Sequence, residues 1–154
     1  MRFARLRLVL AIPVLLVACQ RRYAVWIDEL TSRTGVPVFG VGARPDDHAG
    51  IEVGTFVVFR CAEYDAASRK PGLLASERLM TAPWAIVATS GAVVRTSVPY
   101  GATLPGFRTI AGPGVLAPGC YVAGSYGAEA GGSAAVRFQV DGNGRAVAVQ
   151  QAAL

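Results

Sequence analysis

The sequence predicts an all-β protein: a small antiparallel β-sandwich preceded by a signal-peptide helix and a second short helix. From Val36 onward, glycine and proline separate short runs rich in β-branched and aromatic residues, the pattern of many strands joined by tight turns. The last two runs alternate residue by residue, which is the period of a strand with one face on a core. Before Val36 the chain instead shows an apolar block and then a helical period.

The apolar block is a leader. Arg2, Arg5 and Arg7 precede an apolar stretch over 8–18 that contains Pro13 and ends at Cys19. A basic start, a short apolar helix and small residues at its end make up a signal peptide, predicted here over 1–18. The stretch is about half the ~20 apolar residues a permanent membrane span requires, and Gln20, Arg21 and Arg22 interrupt it.

Leu16, Val17, Ala18 and Cys19 resemble the lipobox of bacterial lipoproteins. The resemblance implies that the Cys19 thiol is lipidated, that cleavage precedes it, and that further acylation, palmitate included, makes the anchoring stable. It also implies a place on the periplasmic side of the envelope. Aspartate after the cysteine commonly retains lipoproteins in the inner membrane, and Gln20 in its place resembles outer-membrane sorting.

Processing before Cys19 changes the charge balance. The precursor carries fifteen basic and ten acidic residues, but the leader holds three arginines and no acid, so the mature 136 residues carry +2 rather than +5. The remaining basic residues are scattered, without the interleaved basic and aromatic stripe of a nucleic-acid reader. One domain is expected over 36–154, a length sufficient for a single core. With Cys19 assigned to lipid, Cys61 and Cys120 remain as a pair that an oxidising periplasm would join. Neither has a neighbouring histidine or cysteine that would suggest metal or redox chemistry.

In the segment 19–35, Tyr23, Trp26, Ile27 and Leu30 fall at helical spacing, with Glu29 and Arg33 one turn apart on the polar side and Gly35 and Pro37 to end the element. A short helix over 20–33 is expected, capping the domain close to the bilayer. The predicted strands are 51–61, 84–89, 92–98, 120–126, 134–140 and 145–150. In the penultimate one, Ala134, Val136, Phe138 and Val140 alternate with Ala135, Arg137 and Gln139. Asp141, Gly142, Asn143 and Gly144 suit the hairpin that follows, a better reading than a calcium loop, which needs further carboxylates. One or two helical turns are expected within 73–80, and 99–107 is expected to be an ordered loop.

Leu116, Pro118, Gly119 and Tyr121 resemble the Leu-x-Pro-Gly-x-Tyr entry to a late strand in immunoglobulin-like and transthyretin-like bacterial domains. In such an entry the Pro-Gly pair makes the turn, and the tyrosine covers the end of the sandwich while its hydroxyl finds a backbone partner. The tyrosine follows Cys120 here, whereas in antibody domains it precedes the cysteine by two residues.

Signals for catalysis are sparse. The one histidine, His48, follows Pro45, Asp46 and Asp47 in a loop-like stretch. A hydrolase would need it as base with an aspartate and a serine, and neither Ser90 nor Ser97 sits in a nucleophile elbow. A metal site from Asp46, Asp47, His48 and Glu52 would lack a second histidine or thiolate. Gly40 and Gly42 are followed by Ala43, Arg44 and Pro45, without the glycine and lysine of a phosphate loop. Tyr64, Trp84, Tyr100 and Phe107 are read as core residues rather than a binding face. The expected function is therefore a non-enzymatic, lipid-anchored structural or interaction component of the envelope. It would have no cofactor, no metal and no nucleic-acid partner, and would bind the membrane through Cys19 and an envelope protein through the domain. The alternative is a small periplasmic hydrolase or metal-dependent binder centred on His48.

Overall fold

A computed structural model describes residues 23–28, 32, 35–43, 50–69, 72–89, 93–94, 97–127 and 132–152. The leader, Cys19 and the stretch 44–49 with His48 lie outside the described residues. The strands are β1 (Ala24–Ile27), β2 (Val38–Gly42), β3 (Ile51–Glu52), β4 (Thr55–Arg60), β5 (Trp84–Ala88), β6 (Val93–Val94), β7 (Ser97–Pro99), β8 (Phe107–Ala111), β9 (Gly119–Tyr126), β10 (Ser133–Val140) and β11 (Ala146–Ala152). Two helices, α1 (Cys61–Ser68) and α2 (Ser76–Thr81), lie between β4 and β5.

All strand pairing is antiparallel. A large sheet runs β11-β10-β9-β4-β5-β8, a small one β1-β2-β7, and β3 pairs with β6 alone. The small sheet packs on one face of the large one. Phe39 of β2 meets Phe56 of β4 and Phe138 of β10 at ring-centroid distances of 5.5 and 5.4 Å. Around them Val25, Ile27, Val41, Val98, Val58, Trp84, Ile86, Val136 and Val140 close an apolar interior. The opposite face of the large sheet is covered by the helices, with Val57, Phe59, Ala85, Val122 and Ala135 from the sheet meeting Tyr64 and Leu79. Apolar residues therefore face both ways along β4, which explains its unbroken run Phe56, Val57, Val58, Phe59.

The short helix expected over 20–33 is corrected where it is described: 24–27 is a strand. Val25 and Ile27 are buried while Ala24 and Trp26 are half-buried, a period of two, and β1 pairs with β2 from Ala24 opposite Gly42 to Ile27 opposite Phe39. Gly40 stands opposite Trp26, and any side chain there would overlap the indole. Tyr23 then reaches across, its hydroxyl donating to the Ser125 carbonyl at 3.1 Å. Tyr23, Trp26 and Ile27 fall at helical spacing while Tyr23, Val25 and Ile27 alternate as in a strand, and pairing with β2 decides between the two. Leu30 lies outside the described residues.

The other predicted strands appear with changed ends. The run 51–61 divides into β3 and β4, and Cys61 begins α1 rather than ending a strand. The run 92–98 divides into β6 and β7, and the supposed loop 99–107 leads into β8 at Phe107. The hairpin after β10 closes as expected: Gly144 takes a positive φ of 77°, and the Asp141 carboxylate accepts from the backbone of Asn143 at 2.8 Å and Arg145 at 2.9 Å. That carboxylate holds the turn together.

Candidate functional site

Chemistry-bearing side chains gather on the helix-covered face of the large sheet. Helix α1 forms from Cys61, Ala62, Glu63, Tyr64, Asp65, Ala66, Ala67 and Ser68, a stretch rich in alanine, the strongest helix former. Glu63 anchors its start, since its carboxylate accepts from the Arg60 backbone N–H at 3.4 Å and from Arg60 Nη1 at 3.2 Å. Tyr64 and Ala67 turn inward, and the helix stops before Pro71 and Gly72. Helix α2 is a turn and a half anchored by Leu79. The Thr81 hydroxyl is shared between the carbonyl oxygens of Glu77 and Arg78, at 3.3 and 3.2 Å.

Two links fix α1 to the sheet. Cys61 and Cys120 are joined in a disulfide, with Cα atoms 5.4 Å apart and a sequence separation of 59, the pair expected once Cys19 is read as the lipid site. Asp65 pairs with Arg137 of β10 through both guanidinium nitrogens, at 2.6 and 3.3 Å. The hydrogen bond from Arg137 holds the Asp65 carboxyl below the usual carboxylate range. Arg137 Nη1 also lies 3.8 Å from Cys120 Sγ, so ion pair and disulfide form one cluster. Burial raises the phenols of Tyr64 and Tyr126 beneath this layer. They stay neutral at physiological pH.

Beside this cluster a cleft of about 300 Å³ opens between the helices, lined by Phe59, Glu63, Ala66, Ala67, Arg78 and Thr81. Its charges are unequally matched. Glu63 is committed to Arg60, whereas Arg78 is half-buried and its Nη1 is inaccessible to solvent with no hydrogen-bond partner. Leaving a donor of a charged group buried and unpaired costs roughly 1–3 kcal/mol or more, so Arg78 is the residue of the cleft lining with an unmet hydrogen bond. Its lining brings a guanidinium, a carboxylate and a hydroxyl together beside the apolar surface of Phe59, Ala66 and Ala67.

The residues named from sequence fall in different places. Cys19, His48, Asp46, Asp47 and Ser90 lie outside the described residues. Glu52 is half-buried on β3 and Ser97 half-buried on β7, in different sheets. Among the described residues no three metal-ligating side chains converge. Trp84 and Tyr64 are buried, and Tyr100 and Phe107 pack partly buried against the inner core, as expected of core aromatics. Tyr121 behaves as its Pro-Gly entry predicts, with its hydroxyl 2.8 Å from the Ala117 carbonyl. The sequence reading missed the Asp65–Arg137 pair and the cleft. The available signal was Arg60-x-x-Glu63 ahead of an alanine-rich stretch, which marks a helix start and so a second layer on the sheet.

No protein-family model, no curated protein and no solved structure matches this chain. Function must therefore be argued from its own residues.

Proposed function

We propose that the protein is a lipid-anchored structural or interaction component of a bacterial cell envelope, exported by its leader, cleaved before Cys19 and held to the membrane by lipid on that residue. The observation that carries this reading is the Leu16-Val17-Ala18-Cys19 motif closing a short apolar run behind three arginines. The cysteine count supports it. With Cys61 and Cys120 bonded to each other, Cys19 is the one cysteine of the chain outside the disulfide. Among the described residues no helix is long and apolar enough to cross a membrane, so attachment in this reading rests on the acyl chains.

The domain carried by the anchor is read as a β-sandwich of immunoglobulin-like or transthyretin-like type. The Tyr121 hydroxyl bonding back to Ala117 supports that reading, since it caps the entry to a central strand. With Gln20 after the cysteine, the outer membrane is the expected destination.

Metabolic labelling with tritiated palmitate tests the anchor. Wild type should take up label and fractionate with membranes, while Cys19→Ala should take up none and be released. Equal labelling of the two proteins would overturn the proposal. Gln20→Asp should keep the label and move the protein to the inner-membrane fraction.

A further inference from the structure

We propose that the cleft between α1 and α2 binds a free carboxylate borne on a small apolar group, with the Arg78 guanidinium as its partner. The proposal concerns the folded domain alone and does not depend on how the protein is anchored.

Three features select this ligand. The first is the unpaired cation. Arg78 Nη1 is shielded from water without any acceptor, and a guanidinium matches a carboxylate through parallel N–H donors. Its neighbours cannot satisfy it: the Glu63 carboxylate is taken by Arg60, and the Thr81 hydroxyl is shared between backbone carbonyls. The second is the single charge. One guanidinium with an unpaired Nη1 beside a carboxylate favours a monoanion and disfavours a phosphate, whose second charge would meet Glu63 without a second cation to balance it. The third is size and lining. Phe59, Ala66 and Ala67 supply apolar surface, and about 300 Å³ lies at the bottom of the range for small-molecule sites, enough for a branched aliphatic group and its carboxylate.

This chemistry is shared by a short-chain carboxylic acid and by the last residue of a peptide, and the two are separable by experiment. The full chain, labelled with ¹⁵N and held in mild detergent, is titrated with N-acetylvaline, N-acetylvalinamide, isobutyrate, an alanyl-alanyl-valine peptide with a free C-terminus, and inorganic phosphate. N-acetylvaline should shift the amide signals of 63–67 and 78–81 saturably, with a Kd on the order of millimolar. The amide should not. Arg78→Gln should weaken binding roughly tenfold or more, the loss expected when a charge-assisted pair is removed. Ala66→Leu, at an exposed helix position that keeps Arg78, should obstruct the same site and serves where Arg78→Gln fails to fold. Tighter binding of the tripeptide than of isobutyrate assigns the site to peptide termini, and the reverse order assigns it to small acids. Equal binding of acid and amide, preference for phosphate, unchanged affinity in Ala66→Leu, or absence of saturable shifts would overturn the proposal.

Discussion

Gly124 and Tyr126 stand two apart on β9 and so share a face of the sheet, where the tyrosine ring occupies the space a side chain on the glycine would need. A Cβ at Gly124 would lie 2.5 Å from both the phenol oxygen and a ring carbon. Tyr126 is itself buried, so the ring has little room to give. Gly124→Ala should therefore destabilise the fold by about 1–3 kcal/mol in urea denaturation, as overpacking does. Gly142→Ala, at an open hairpin position with nothing nearby, should change stability by less than about 0.5 kcal/mol. Tyr100 gives a different kind of residue-level effect. Its hydroxyl lies 2.7 Å from the Gly114 carbonyl and 3.0 Å from that of Pro83, and burial pushes its pKa up to about 12. The unfolded chain loses this proton near pH 10 and the folded protein only near 12, so the unfolded state is favoured progressively between them. The stability difference between wild type and Tyr100→Phe should be constant below pH 10 and should shrink from there to pH 12. A difference that does not change over that interval would contradict the burial argument.

At the scale of elements, α1 shows how a covalent and an ionic link cooperate. Cys61 begins the helix directly after β4, and Cys120 lies near the start of the neighbouring strand β9, so the disulfide fastens the first turn to the sheet. One turn on, Asp65 reaches Arg137 on β10. The disulfide closes a loop of 59 residues, and in the entropic account such closure contributes about 4 kcal/mol by restricting the unfolded chain. Replacing both cysteines by alanine should lower the unfolding free energy by roughly 2–5 kcal/mol, and reductant should have no further effect on that variant. The Asp65–Arg137 pair is exposed to water on the aspartate side and should matter less. It ties α1, which forms one wall of the cleft, to β10.

Across the whole molecule, the large sheet separates two unlike compartments. The inner one is apolar and filled by interlocking rings, from Tyr121 and Phe138 through Phe39 and Phe56 to Trp84 and Tyr100. The outer one, under the helices, holds the disulfide, the ion pair and the cleft. The anchor proposal has a corollary here. Cys19→Ala removes no disulfide partner, so the released protein should melt as a folded domain with Cys61 and Cys120 still bonded.

What the sequence by itself determined is what local pattern can carry. The alternation in β10 and the Asp141 to Gly144 turn specify a hairpin through nearest neighbours alone, and the cysteine count points to the bond between Cys61 and Cys120 once Cys19 is read as the lipid site. Tertiary structure decided wherever a segment was too short to have a period of its own. Tyr23, Trp26 and Ile27 suit a helix while Tyr23, Val25 and Ile27 suit a strand, and β2 (Val38–Gly42) supplies the ladder that makes 24–27 a strand. The run 51–61 reads as one strand until packing ends it at Arg60 and starts a helix at Cys61. The cleft was the least legible feature. It exists because α1 and α2 settle on a sheet face already covered by Phe59 and its neighbours, and no local pattern in Arg78 or Ala66 records that they will meet.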